Sequence, residues 1–482
     1  MTGGTHDARG LGLTGSMGSR PRLRQVLLVA GAIGMGAVLC GAAEGEAGEV
    51  SNLLLALVVM LVGGRIAGEL CERVRTPSVM GELAFGVLLG SLSLMGVHRL
   101  DFIKHDPVVG ALSQVGVILL LFYVGVESHI AEMLSVGWSA FLVAAIGVIV
   151  PSCLGWGVSS WLQPHAHPLS HVFVGTILCA TSVGITARVL SDLGQLRRPE
   201  AQIILGAAVI DDVMGLSVLA VVVGIINSVA RGVHESVAAS ALTVTATAAL
   251  FVVGAVALGH YLARWLFRAA AWIRPRGSRL TASLAFCFLL AWLAQKVGLA
   301  PIVGAFLAGL VIEEPRPSTE APGGGGAVNS QAGPAVSLTS RLNPIVSFLA
   351  PVFFVRTGAI MDLSAFASRE GALLAVMLTL AAIMGKQACG LAVLQRGLDR
   401  VSVGLGMIPR GEVGLIFAVA GLQLVLPGGQ RVVDDITYGA VIVVVVATTL
   451  LTPPLLRWSL KRSASRSAAT PVGDTPKAPE VE

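Results

Sequence analysis

Apolar runs of about 20 residues recur along almost the whole chain, each the length needed to cross a hydrocarbon core about 30 Å thick. Lipid offers no hydrogen bonds, so a chain built this way must satisfy its backbone internally, as helices or as a closed barrel. The runs lack the dyad alternation of barrel strands, which leaves helices. Composition agrees. Of 482 residues only 13% are charged and 54% are hydrophobic, where a soluble protein carries about 25% charged residues. The 58 glycines suit membrane helices, which approach closely where side chains are small. The formal net charge of +5 fits basic cytoplasmic loops; no basic stretch has the interleaved aromatics of a nucleic-acid surface. Cys40, Cys71, Cys153, Cys179, Cys287 and Cys389 lie scattered in apolar stretches without metal-ligand or disulfide-like spacing, and read as small apolar residues.

The first run, 26–43, follows Arg20, Arg22 and Arg24 and fits either a signal peptide or an extra membrane helix, so that 1–48 forms an N-terminal tail with one or the other. Thirteen further runs follow, at 51–71, 78–97, 109–126, 137–161, 170–190, 202–227, 237–264, 278–295, 298–313, 343–361, 370–394, 402–424 and 436–456. Alternate connections are rich in Arg and Lys, among them Arg73, Arg75, Arg197, Arg198, Arg264, Arg268, Arg396, Arg400 and Lys461, and the positive-inside rule places these and the C-terminus in the cytoplasm. The opposite set holds His98, His105, His165 and His167, read as solvated loop residues. Residues 315–342 are rich in Gly, Pro and Ser and predict a flexible cytoplasmic linker. Residues 463–482 predict a short disordered tail, too small for a nucleotide-binding regulatory domain.

Chemistry concentrates in a few charges inside these runs. Asp211 and Asp212 sit adjacent in the run 202–227. A charged, unpaired carboxylate costs several kcal/mol at the bilayer centre, so the pair implies a wet cavity, a bound cation or a partner base. Lys386, deep in the run 370–394, is a candidate for that base, because a buried Lys releases its proton readily. Asp434 and Asp435 fall beside Pro427 and Gly428 in a predicted external loop and read as structural. Two runs look interrupted. Thr181, Ser182 and Thr186 surround Gly184 at mid-membrane; Pro409, Arg410, Gly411, Glu412 and Gly414 crowd another span. Discontinuous helices expose carbonyls and half-helix dipoles that coordinate ions near the midplane. The fourth to sixth and eleventh to thirteenth runs thus form two three-helix units, each with one interrupted helix, and an inverted repeat would cross them at the site. No nucleophile–base set or phosphate loop suggests an enzyme, and nothing suggests a cofactor.

The chain resembles the cation:proton antiporter superfamily, in particular the Asp-Asp branch of sodium/hydrogen exchangers with a Kef-like membrane domain. The resemblance spans roughly 50–460. It rests on Thr76-Pro77-Ser78-Val79-Met80-Gly81-Glu82, on Leu119-Leu120-Leu121-Phe122-Tyr123-Val124-Gly125-Val126-Glu127, on Thr181-Ser182-Val183-Gly184-Ile185 and on Asp211-Asp212. Pro301-Ile302-Val303-Gly304-Ala305-Phe306-Leu307-Ala308-Gly309, Pro351-Val352-Phe353-Phe354-Val355 and Pro409-Arg410-Gly411-Glu412 follow in the same order.

What the resemblance implies is an all-α fold of about thirteen transmembrane helices over 49–462, with a core near 137–227 and 370–456 and dimerisation helices in the remainder. It implies a homodimer in a bacterial inner membrane, serving pH homeostasis by exchanging Na⁺, K⁺ or Li⁺ for protons through an elevator motion. Carried onto this chain, Asp212 is the principal cation and proton carboxylate. Asp211 is its neighbour, bridged to Lys386 when no cation is bound, and Thr181 and Ser182 line the site. An Asp-Asp pair with a Lys implies electrogenic exchange of two protons per cation. Arg356 departs from many relatives, which carry a neutral residue there; it is expected to pair with Glu82, Glu127 or Glu412, or to sit in a cavity and alter the charge count. Arg410 and Glu412 read as a structural charge pair neutralising the interrupted helix. Two other readings stand beside exchange: a K⁺ efflux channel or transporter of the Kef type, and a non-transporting membrane sensor.

Overall fold

The computed structural model describes residues 46–469, except 75, 93–97, 99, 129–132, 134, 232–236, 272–277, 313–336, 362–368, 396 and 427–428. The run 26–43, most of the linker and the end of the tail lie outside the described residues. Within them the chain is helical, with one isolated bridge between Val425 and Arg431. In order the helices are α1 (Glu46–Arg73), α2 (Ser78–Ser91), α3 (Pro107–Glu127), α4 (Gly137–Leu162), α5 (Pro168–Cys179), α6 (Val183–Asp192), α7 (Pro199–Arg231), α8 (Val237–Ala271), α9 (Ser278–Lys296), α10 (Pro301–Val311), α11 (Leu338–Ala359), α12 (Arg369–Gln387), α13 (Arg400–Gly406), α14 (Glu412–Gln423) and α15 (Asp435–Ala469). A single helical turn, Phe102–His105, precedes α3.

Helices cover every run from 51 onward, and the interrupted runs are the pairs α5/α6 and α13/α14. Among the described residues nine helices, α5 and α6 taken as one, are long and apolar enough to cross a membrane. Three shorter apolar helices, Ser78–Ser91, Pro301–Val311 and Val413–Gln423, supplement them. The protein is an integral membrane protein. Several boundaries differ from the expected ones. The linker was expected to reach residue 342, yet α11 starts at Leu338, because the Ser337 side chain caps it by accepting from the Ser340 amide. Helix α15 runs on to Ala469, into the segment expected to be a tail. The run 370–394 is α-helical only to Gln387 and tightens into a 3₁₀ turn over Ala388–Ala392.

Packing divides the helices into two groups. One contains α1, α2, α3, α9, α10 and α11; the other contains α4, α5, α6, α7, α12, α13, α14 and α15. Helix α8 lies between them, against α7 on one side and α9 and α10 on the other. The groups meet where α6 touches α2 and α3, and where α15 touches α2. Glycine lets backbones close up inside each group: a Cβ on Gly86 would stand 2.9 Å from the Gly358 Cα, and one on Gly385 would stand 2.8 Å from the Pro151 Cα. Many outward side chains are large and apolar, including Leu250, Leu258, Trp292 and Trp458. Lipid is the solvent that such a surface requires.

Candidate functional site

The candidate site lies where the two interrupted helices pass each other. Helix α5 ends at Cys179; Ala180 (φ −60°, ψ 137°) and Ser182 (φ −95°, ψ 106°) are extended before α6 begins. Helix α13 ends at Gly406, and Gly411 (φ −151°, ψ −141°) is non-helical ahead of α14. The second interruption has a covalent cause, since Pro409 lacks an N–H and pushes its predecessor out of the helical region. The first contains no proline. Its freed backbone groups are satisfied by the second: the Ser182 amide donates to the Pro409 carbonyl at 2.8 Å, and the Arg410 guanidinium donates to the Ala180 carbonyl. The Thr186 hydroxyl in turn donates to the Gly406 carbonyl at 2.7 Å, across 220 residues of sequence.

Arg410 is 2% exposed, and its cationic head stands at the C-terminal, negative end of the half-helix α5. Both sides of its own peptide are held by α15. The Arg410 amide donates to the Thr448 hydroxyl at 3.3 Å, and the Thr449 hydroxyl donates to the Arg410 carbonyl at 2.6 Å.

Helix α7 brings in the acids. Asp211 is 1% exposed and Asp212 4%; Lys386, from the last turn of α12, is fully buried. The Lys386 ammonium donates to Asp211 Oδ1 at 2.9 Å, a pair drawn from helices 175 residues apart. A Cβ on Gly147 of α4 would stand 3.3 Å from the Lys386 Nζ and 3.6 Å from Asp211 Oδ1, so glycine leaves the pair its room. One turn beyond the acids, Gly215 lies against Cys179, 3.6 Å from a Cβ position to the sulfur, which places α7 beside the first interruption. Thr181, 2% exposed, has a hydroxyl oxygen with no hydrogen-bond partner among the described residues, and the second Asp211 oxygen is in the same position. Such oxygens, desolvated and unbonded, suit a small monovalent cation. Among the described residues no cluster of His, Cys, Asp and Glu could hold a resident metal.

Other expected residues lie elsewhere. Among the described residues Arg356 pairs with neither Glu82 nor Glu127: its guanidinium donates to the Lys104 carbonyl at 3.2 Å and packs over Gly110. It is in the last turn of α11, at the end of the span, within reach of the loop before α3. Glu127 closes α3 and accepts from the Tyr123 hydroxyl at 3.1 Å. Glu82 faces Arg188 at 3.9 Å. The side chain of Glu412 lies outside the described residues. Asp434 accepts from the Thr437 amide at 2.8 Å, and Asp435 accepts from Arg431 at 3.3 Å, both structural contacts at the start of α15.

Sequence reasoning missed Arg188, which sits inside the run 170–190 with Asp192 four residues on; that spacing of opposite charges was the available signal. It also missed Thr448 and Thr449. Threonine in a membrane helix ordinarily bonds back to its own carbonyls, as Thr448 does to Val444 at 2.7 Å, so nothing singled them out.

Crossing interrupted helices around a buried carboxylate–ammonium pair define a class, the ion-coupled secondary transporters. The family described as "Sodium/hydrogen exchanger, transmembrane" matches residues 53–462, and the chain belongs to it. It is 34% identical over 443 residues to the high-affinity Na⁺/H⁺ antiporter NhaS3 of Synechocystis sp., covering 85% of this chain and 90% of that protein. It is 31% identical over 408 residues to the Na⁺/H⁺-K⁺ antiporter GerN of Bacillus cereus, covering 84% and 95%. The fold matches that of the sodium proton antiporter MjNhaP1 of Methanocaldococcus jannaschii with a TM-score of 0.63 at 18% identity, over 89% of this chain and 99% of that one.

Proposed function

We propose that this protein exchanges Na⁺ for protons, with K⁺ and Li⁺ as the competing cations, at Asp211 and Asp212. The observation that carries the reading is the buried Lys386–Asp211 pair at 2.9 Å beside the crossing of the two interrupted helices. The names borne by NhaS3 and GerN point the same way, and GerN's keeps K⁺ in view.

The chemistry is competition for one set of oxygens. With no cation bound, Lys386 neutralises Asp211. An arriving cation takes carboxylate oxygen from the acids, with the Thr181 hydroxyl and carbonyls of the interruption completing its shell. Once the cation holds Asp211, the Lys386 ammonium has lost its carboxylate partner and gives up one proton. Asp212 releases the other. Two protons per cation make the exchange electrogenic, and each net charge moved across 100 mV is worth about 2.3 kcal/mol. Arg410 stays on the Ala180 carbonyl and holds the crossing; Arg356, on the Lys104 carbonyl, takes no part.

The group containing α4 to α7 and α12 to α15 is the moving core, and the group around α2, α3 and α11 is the scaffold and dimer surface. The core carries the site past the scaffold as an elevator in a bacterial inner membrane, the Arg-rich connections and C-terminus facing the cytoplasm. The test is proton flux in proteoliposomes on adding Na⁺, K⁺ or Li⁺, comparing wild type with Asp212→Asn. Cation-triggered proton movement in the wild type alone supports the assignment and ranks the ions. Exchange that survives the substitution refutes it, and cation flux without proton movement turns the reading to a channel.

A further inference from the structure

We infer that Arg188 is a further positioning residue of the exchange reaction: it latches the helix that leads out of the cation site onto the opposing helix group. The inference rests on the core and scaffold assignment just given. Helix α6 starts at the interruption, and Arg188 lies six residues beyond Ser182, about 9 Å along the helix axis. Its Nε sits 2.8 Å from Asp192 Oδ1 one turn on, and its Nη2 reaches 3.9 Å to Glu82 Oε1 on α2. The guanidinium also lies 6.0 Å from the Phe354 ring centroid on α11. Asp192 makes a second crossing of its own, accepting from the Ser78 hydroxyl at 3.0 Å.

Three side-chain contacts therefore tie α6 to α2 and α11, across a boundary where the two groups otherwise touch sparingly. The charges involved are not surface decoration: Glu82 is 1% exposed and Arg188 11%. Glu82 has one described ionic partner, and its second oxygen has no hydrogen bond among the described residues. Breaking the pair takes its nearest cation from a buried carboxylate, which makes release costly. Ser78 and Asp192 stand next to the Arg-rich connections, so the latch closes the cytoplasmic side of the site. A sliding core must break it in every cycle and remake it on return. Arg188 thereby sets how much of the protein waits in this arrangement, without touching the cation.

The experiment compares wild type with Glu82→Gln, and with Arg188→Gln should the first variant fold poorly. Amide hydrogen exchange across 186–192 is read in the intact protein, and the apparent KM for Na⁺ is read separately from each membrane face. Loss of the latch raises amide exchange in that segment by about threefold or more and shifts the two KM values in opposite directions, by about threefold or more each. A merely structural defect lowers rate or yield and moves the two values together. Unchanged amide exchange in a folded variant, or KM values that move together, overturns the latch. Should wild type show no cation-coupled proton flux, the exchange reading fails by itself, and the amide exchange still decides whether α6 is held by Arg188.

Discussion

Replacing Gly411 with alanine tests the crossing on which the site depends. Its Cβ would stand 2.6 Å from the Ser182 Oγ and 2.8 Å from the Ser182 Cβ, well inside contact distance. Ser182 cannot simply yield, since its own amide is bonded to the Pro409 carbonyl two residues before Gly411 in sequence. Backbone conformation is not at issue, because the Gly411 φ of −151° lies outside the left-handed region. The cost is overpacking, about 1–3 kcal/mol, with about 1 kcal/mol more if the Ser182–Pro409 hydrogen bond stretches out of range. Gly411→Ala should therefore lose about 2–4 kcal/mol, read as a lower Tm of the purified protein in detergent. Adding Ser182→Gly removes the opposing side chain and should restore most of the Tm. A Gly411→Ala protein as stable as wild type would refute the crossing geometry, and so would a Ser182→Gly addition without effect.

The remaining predictions probe the charges and their supports. Lys386→Met and Asp211→Asn should each destabilise by about 3–5 kcal/mol, since each leaves the other charge buried alone, whereas the double variant should return close to wild-type stability; denaturation of all three in one detergent checks this, and additive losses would contradict a direct pair. Thr449→Val should cost about 1 kcal/mol by leaving the Arg410 carbonyl unbonded, with a larger fall in exchange rate than in Tm because the second interruption loses its clamp. Arg356→Gln should leave the proton-to-cation ratio unchanged in a reversal-potential measurement; a changed ratio would put Arg356 back among the groups that set the site's charge.

Much of the architecture was legible because lipid imposes a length and an apolarity that few other environments demand. The runs therefore fall on helices, with errors at the ends, where local capping decides. Ser337 starts α11 earlier than hydropathy alone predicts. The second interruption announced itself through Pro409 and Gly411. The first was visible only as a knot of hydroxyls, because its opening depends on partners 220 and more residues away. Arg356 was expected beside an acid or in a cavity; at the end of α11 its long side chain instead reaches the Lys104 carbonyl, a partner 252 residues away that no sequence pattern names. Arg188 was hidden by the same circumstance, since its meaning lies in Glu82 and Phe354 on helices that no spacing rule connects to it.

The bonds between the interruptions also bear on which parts move. Each interruption supplies the partners that the other lacks: Pro409 accepts from the Ser182 amide, Arg410 donates to the Ala180 carbonyl, and Thr186 donates to the Gly406 carbonyl. Pulling the two apart would strand polar groups in a dry interior, at about 1–3 kcal/mol for each group left unbonded. By contrast, the contacts of α6 with the other helix group run through side chains, Arg188 to Glu82 and Asp192 to Ser78, which can exchange partners as helices slide. The weaker seam is therefore the one between the groups. A motion that opens the crossing itself has the larger barrier, so the crossing, the acids of α7 and Lys386 should travel as one body. Tying the interruptions together by a crosslink should then leave exchange intact, whereas a crosslink from α6 to α2 should stop it.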